Sequence, residues 1–109
     1  MLEISPAKVV HIIYQTREGR MAEEELRAFI AGLNEDEQAH LVALAWVGRG
    51  AFEPEDFEDA VDTAWAERST PTEVYLTGMP HLAENLEAGL EAMGVDVTEV
   101  EADFLDGDR

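Results

Sequence analysis

The sequence predicts an all-α fold: an irregular orthogonal bundle of five to six short helices around a central apolar helix at about residues 35–48. Three observations predict it. No stretch before residue 95 alternates apolar and polar residues with the period of a strand; apolar residues recur at three- and four-residue intervals instead. The helical stretches are punctuated by prolines where a first turn belongs and by glycines where a helix should stop. One stretch, Ala39 to Val47, carries His40 as its one polar residue, so nearly its whole circumference is apolar and other helices must cover it.

The elements follow in order. Ser5-Pro6 offers an N-cap and a first-turn proline, whose fixed φ suits the helix and whose missing N–H would be unpaired there anyway. The helix runs through about Glu18, with Val9, Val10, Ile12 and Ile13 as its apolar residues, and Gly19 stops it. A second helix spans about Met21 to Gly32. Ala22, Leu26, Phe29, Ile30 and Leu33 form its stripe, and Glu23, Glu24 and Glu25 crowd the first turn, where the helix dipole favours negative charge.

Asn34-Glu35-Asp36-Glu37 has capping-box spacing, with Glu37 able to reach back to the Asn34 amide. It opens the central helix, which Gly48-Arg49-Gly50 ends. A fourth helix begins near Pro54 and turns Phe57, Ala60, Val61, Ala64 and Trp65 to one side, with acids on the others. Thr70-Pro71-Thr72-Glu73 reads as a second capping box, opening a short helix over Val74, Tyr75 and Leu76 that halts at Gly78. Pro80 starts the last helix; Leu82, Leu86, Leu90 and Met93 are its stripe, Gly89 admits a close neighbour on that side, and Gly94 terminates it. Residues 1–94 thus form one helical domain. Residues 95–109, which mix Val95, Val97 and Val100 with many acids, are expected as a flexible acidic C-terminal tail.

A chain of 109 residues has room for one domain, and its 46% hydrophobic content argues against wholesale disorder despite the charge. The absence of cysteine excludes disulfides, thiolate zinc sites and cysteine nucleophiles. The N-terminus lacks the basic start and apolar core of a signal peptide, and the run Leu41 to Val47 falls far short of the about 20 residues that cross a bilayer. A soluble, cytoplasmic protein is the expectation.

The formal charge is −18, and it is unevenly placed. Residues 1–50 hold eight acids and five bases, a net of −3; residues 51–109 hold seventeen acids and two bases, a net of −15. Nucleic-acid affinity rests largely on Lys and Arg contacts to phosphate, so this surface argues against DNA, RNA or anionic lipid as a direct partner. It leaves three readings of the acidity: a basic protein partner, divalent ions, or plain solubility.

Motifs for chemistry are sparse. No GxSxG elbow, phosphate-cradling glycine loop or HExxH occurs, and the two serines, Ser5 and Ser69, sit where caps or turns belong. Glu37 and His40 stand at i, i+3, the spacing of carboxylate-bridged metal sites in helix bundles, and His81 and Glu84 repeat the pair in reverse order. Such sites need further carboxylates, and Glu37 already has a capping role. His11 stands alone. The expectation is three partly exposed histidines and no cofactor. The most specific stretch is Leu44-Ala45-Trp46-Val47-Gly48-Arg49-Gly50. Its functional reading is an Arg49 guanidinium, stacked on Trp46, that binds a carboxylate or phosphate. Its structural reading is a C-terminal arginine paired with Glu53 or Asp56. Trp65 and Tyr75 read as core.

The opening Ser5-Pro6-Ala7-Lys8-Val9, the block from Glu25 to Gln38, the stretch from Leu41 to Gly50 and the closing Tyr75-Leu76-Thr77-Gly78-Met79-Pro80 with Leu90 resemble a bacterial family of small proteins classed as domain of unknown function 3775. The resemblance covers about residues 4–94. It departs at Gly19 to Glu24, a short link where members carry a longer acidic insertion. The resemblance implies a helical fold and, since the family has no established activity, no catalytic or binding residues.

Three functional expectations follow. The first is a small acidic non-enzymatic module that presents a helical surface to a protein partner. The second is a mimic of nucleic-acid charge seated on a basic protein, and the third a metal-dependent enzyme using His40, His81 and nearby acids. Whether the apolar surplus of the central helix is covered by this chain or by a second copy, making a homo-oligomer, is left open by the sequence.

Overall fold

Helix boundaries in the computed structural model, which describes residues 2–107, follow the local chemistry closely. α1 spans Pro6–Arg17, with the Ser5 hydroxyl accepting from the Lys8 amide and Pro6 in the first turn. Ile4 and Val9, the positions of a hydrophobic staple, are both fully buried. A single 3₁₀ turn, Gly19–Ala22, leads into α2, Glu23–Ala31. α3 covers Glu35–Arg49 behind the expected capping box: Asn34 Oδ1 accepts from the Glu37 amide at 2.7 Å, and Glu37 Oε1 accepts from the Asn34 amide at 3.0 Å. Then come a 3₁₀ turn at Pro54–Asp56, α4 at Phe57–Ala66, α5 at Thr72–Thr77, α6 at Leu82–Ala92 and α7 at Val97–Gly107.

The central element is α3, as its composition requires. Every residue from Ala39 to Val47 is buried, and the cover comes from the chain's own helices, α6 above all, then α4. α1 lies against α6 on one side and α7 on the other, while α2 packs on α5. A bidentate pair ties the ends of this arrangement together: both terminal nitrogens of Arg17 on α1 donate to the Glu87 carboxylate on α6, at 3.1 and 2.7 Å.

Close approach of α3 and α6 depends on two glycines. A Cβ on Gly89 would collide with the Leu44 carbonyl, and one on Gly48 with the Asn85 carbonyl. The expected role of Gly89 is thus observed. That of Gly48 differs: it lies inside α3 and serves the contact, and the helix ends one residue later, at Arg49. Gly50 supplies the left-handed cap at φ +88°, closed by the Ala51 amide on the Trp46 carbonyl and the Gly50 amide on that of Val47.

Three further local readings are corrected. Thr70 and Glu73 form no capping box, because Pro71 keeps extended ψ and is itself the residue before the helix, leaving no side-chain cap on α5. α6 starts at Leu82 and not at Pro80, since His81 takes a left-handed conformation at φ +59° that breaks the helical path between them. The stretch expected as a tail carries a helix. Asp96 Oδ1 accepts from the Glu99 amide as an N-cap, and Val97 is buried where α7 lies on α1. The radius of gyration, 12.9 Å, matches the about 13 Å of a fully compacted chain of this length, so α7 folds back onto the body. Residues 108 and 109 lie outside the described residues. Among the described residues, no helix is long and apolar enough to cross a membrane.

Candidate functional site

Two of the metal candidates, Glu37 and His40, are engaged in hydrogen bonds within the fold. Glu37 is buried at the start of α3, one oxygen taking the Asn34 amide and the other the Lys8 ammonium at 2.6 Å. Those two hydrogen bonds, Lys8 foremost, hold its carboxyl below the ordinary carboxylate range. His40 is buried too. Its Nδ1 accepts from the Glu3 amide at 3.1 Å, which places the ring proton on Nε2, and its ring meets Phe57 edge-on at 5.2 Å. Burial pushes its pKa down, since a charged imidazolium would lose its hydration there.

His81 and Glu84 are exposed at the start of α6. Leu44 faces Gly89 and Gly48 faces Asn85, so α3 and α6 run antiparallel, and His40 falls opposite the C-terminal end of α6 near Met93. His81 lies at the other end, on the order of 15 Å away along the helix axis. The structure therefore does not bring the two imidazoles together. Among the described residues, no three His, Asp or Glu side chains group as a metal site. His11, half-buried on α1, packs its ring 4.6 Å from that of Phe29.

Trp46 and Arg49 part company. Arg49 is exposed and forms no ion pair with Glu53, Asp56 or any other described residue. Trp46 is 8% exposed; its indole N–H donates to the Tyr75 hydroxyl at 2.9 Å and its ring stacks on Phe52 at 5.8 Å. An arginine does lie over a tryptophan, but it is Arg68 over Trp65, 4.7 Å from the ring centroid.

Trp46 and Arg68 share a cleft. It opens between α3, the end of α4 and α5, holds about 250 Å³, and is lined by Val42, Trp46, Ala64, Arg68, Thr72 and Tyr75 among others. The family model that matches this chain, described as Protein of unknown function (DUF3775), spans residues 23–95. The chain belongs to that family. Its matched region runs from the first residue of α2 to just past α6 and contains the whole cleft, with α1 and α7 outside it. No curated protein and no solved structure matches the chain.

Composition alone could have marked Arg68, one of two bases after residue 50. Thr72 was hidden inside an apparent capping box, and Tyr75, 36% exposed, inside an apparent core run. Sequence reasoning missed both because only packing shows which face of a short helix looks into a cleft.

The second feature of the surface is electrostatic. Lys8, Arg17, Arg27 and Arg68 are each ion-paired, with Glu37, Glu87, Glu23 and Glu35 respectively. Between Gly50 and Glu67 there is no basic residue, and Glu53, Glu55, Asp56, Glu58, Asp59, Asp62 and Glu67 are all exposed. None of these seven forms an ion pair with a described residue. They make a ridge of uncompensated charge along the loop before α4 and the outer face of α4 itself.

Proposed function

We propose that this chain is a small non-enzymatic interaction module that docks a basic region of a protein partner on the acidic ridge of residues 53–67. The observation that carries the reading is that none of the ridge's seven acids forms an ion pair with a described residue, while Lys8, Arg17, Arg27 and Arg68 are paired with other acids. Seven like charges on one short segment raise a local potential that draws cations and steers their approach, and they oppose compaction, so they are a cost to the fold that an interaction would relieve. The alternative of a site at Glu37 and His40 has less support, since both side chains already serve internal hydrogen bonds.

The test compares the wild-type chain with a variant carrying Glu55→Gln, Asp59→Asn and Asp62→Asn as baits in gentle low-salt lysates. A partner recovered by the wild type should be lost by the variant and released near 0.5 M salt, where the Debye length falls to roughly 4 Å. Recovery of no partner, or equal recovery by both baits, would overturn the reading. If the partner is a nucleic-acid-binding protein and DNA competes it off, the ridge acts as a charge mimic.

A further inference from the structure

The cleft between α3, α4 and α5 has chemistry of its own, independent of the acidic ridge. Its floor is apolar, from Val42, Ala64 and the face of Trp46. Its polar groups are unusual for being underused. Thr72 as a residue is 7% exposed and lines the cleft, and its hydroxyl caps no backbone group of α5. That hydroxyl opens on the cleft, where it is solvated and free to donate to a ligand. The Tyr75 oxygen accepts from Trp46, which leaves its own hydrogen free to donate.

Arg68 adds a third donor group. Its guanidinium lies over the Trp65 ring, and its ion pair with a mostly exposed Glu35 is long at 3.5 Å. A guanidinium carries five N–H donors in a planar fork, so most remain available. Donors from Arg68, Thr72 and Tyr75 face one small space, and they call for an acceptor group. At about 250 Å³ the space equals that of roughly eight waters, enough for one ring and a short carboxylate arm.

We propose that this cleft binds a small carboxylic acid with an apolar body of one ring or a branched chain, its carboxylate received by Arg68, Thr72 and Tyr75 and its body by Val42, Ala64 and Trp46. A carboxylate, unlike a neutral carbonyl, accepts two parallel N–H bonds from the arginine fork. Glu67, the acid in the lining, is exposed and would favour an amine, so an amine is the informative competitor.

The experiment follows amide and indole N–H resonances of the full chain while adding 3-phenylpropanoate, 3-phenylpropanamide or 2-phenylethylamine. The acid should give saturable shifts at the Trp46 indole and along residues 64–75, with the amide at least about tenfold weaker and the amine inert. Arg68→Gln and Thr72→Val should each weaken the acid about tenfold while leaving the thermal melt unchanged. No saturable shift with the acid up to about 10 mM would overturn the proposal. So would an amide or amine that binds as well, or full binding by both variants.

Discussion

Replacing Gly89 by alanine sets two physical effects of opposite sign against each other. In an exposed helix interior the change gains up to about 1 kcal/mol, because alanine has less backbone freedom to lose than glycine. At Gly89 the added methyl meets the Leu44 carbonyl and Cα, which belong to the backbone of α3 and cannot rotate aside as a side chain would. Relief requires α3 and α6 to separate, and a gap of 0.5–1 Å forfeits roughly a quarter to a half of each dispersion contact across the seam. That seam is the most extensive in the bundle and includes the fully buried Leu44, Leu86 and Leu90. Overpacking of this kind costs about 1–3 kcal/mol and sometimes more, and with no soft neighbour to yield the upper part of that range applies. The net expectation is a loss of about 1–3 kcal/mol, a fall in Tm of roughly 5–15 °C for a domain of this size. Urea and thermal unfolding of Gly89→Ala measure it. Gly32→Ala is the control: its φ of −81° suits alanine, its Cβ would lie 3.4 Å from the nearest atom, and it should be neutral or slightly stabilising. A Gly89→Ala protein as stable as wild type would refute the close-approach argument.

Other perturbations read other parts of the structure. Trp46→Ala should cost about 3–5 kcal/mol in urea unfolding through cavity formation in the central helix, and a value near zero would place Trp46 on the surface. Val97→Ala should cost about 1 kcal/mol if α7 docks on α1, measured in the same way, and nothing if it does not. Stability should fall as pH drops below about 6.5, because the unfolded chain protonates His40 there while burial keeps the folded imidazole neutral. A further loss should begin below about 4.5, where unfolded Glu37 takes a proton that Lys8 and Asn34 deny it in the fold; urea melts across pH 7.5 to 4 would show both steps. An NMR titration of His40 with its midpoint at or above 6.5 would contradict the first. Association should rise near the sequence pI of 4.2, read by light scattering, and unchanged scattering there would contradict charge as what keeps copies apart.

Local chemistry made much of the fold legible in advance. The Asn34–Glu37 capping box, the Ser5-Pro6 start, the all-apolar turn of α3 and the small residue at Gly89 are statements about a few neighbouring residues, and each is found in place. The misreadings share one cause. Thr70 to Glu73 satisfies the capping-box pattern, yet which residue lies before the helix depends on the ψ of Pro71, which is extended. Gly48 matches a helix stop as well as a helix contact, and only the presence of α6 distinguishes them. Val97 and Val100 lie three apart, but a helix that short and acidic has no reason to form until α1 offers it an apolar face.

The candidate site was legible in part. Trp46 is where the sequence pointed, while the arginine that shares its cleft is Arg68 and not Arg49, because residues that far apart in the chain meet only through the packing of α4 on α3.

By itself the sequence determined the helical class, the family, the order of elements and the −15 balance of the second half, all of which follow from spacing, propensity and charge within short windows. Tertiary structure decided what those windows do for each other. It set α3 and α6 close enough to need two glycines, spent Glu37 and His40 on internal hydrogen bonds, and opened the Thr72 hydroxyl on a cleft beside Arg68. The physical reason is that burial and partnership are properties of pairs distant in the chain, and no local pattern encodes which pairs meet.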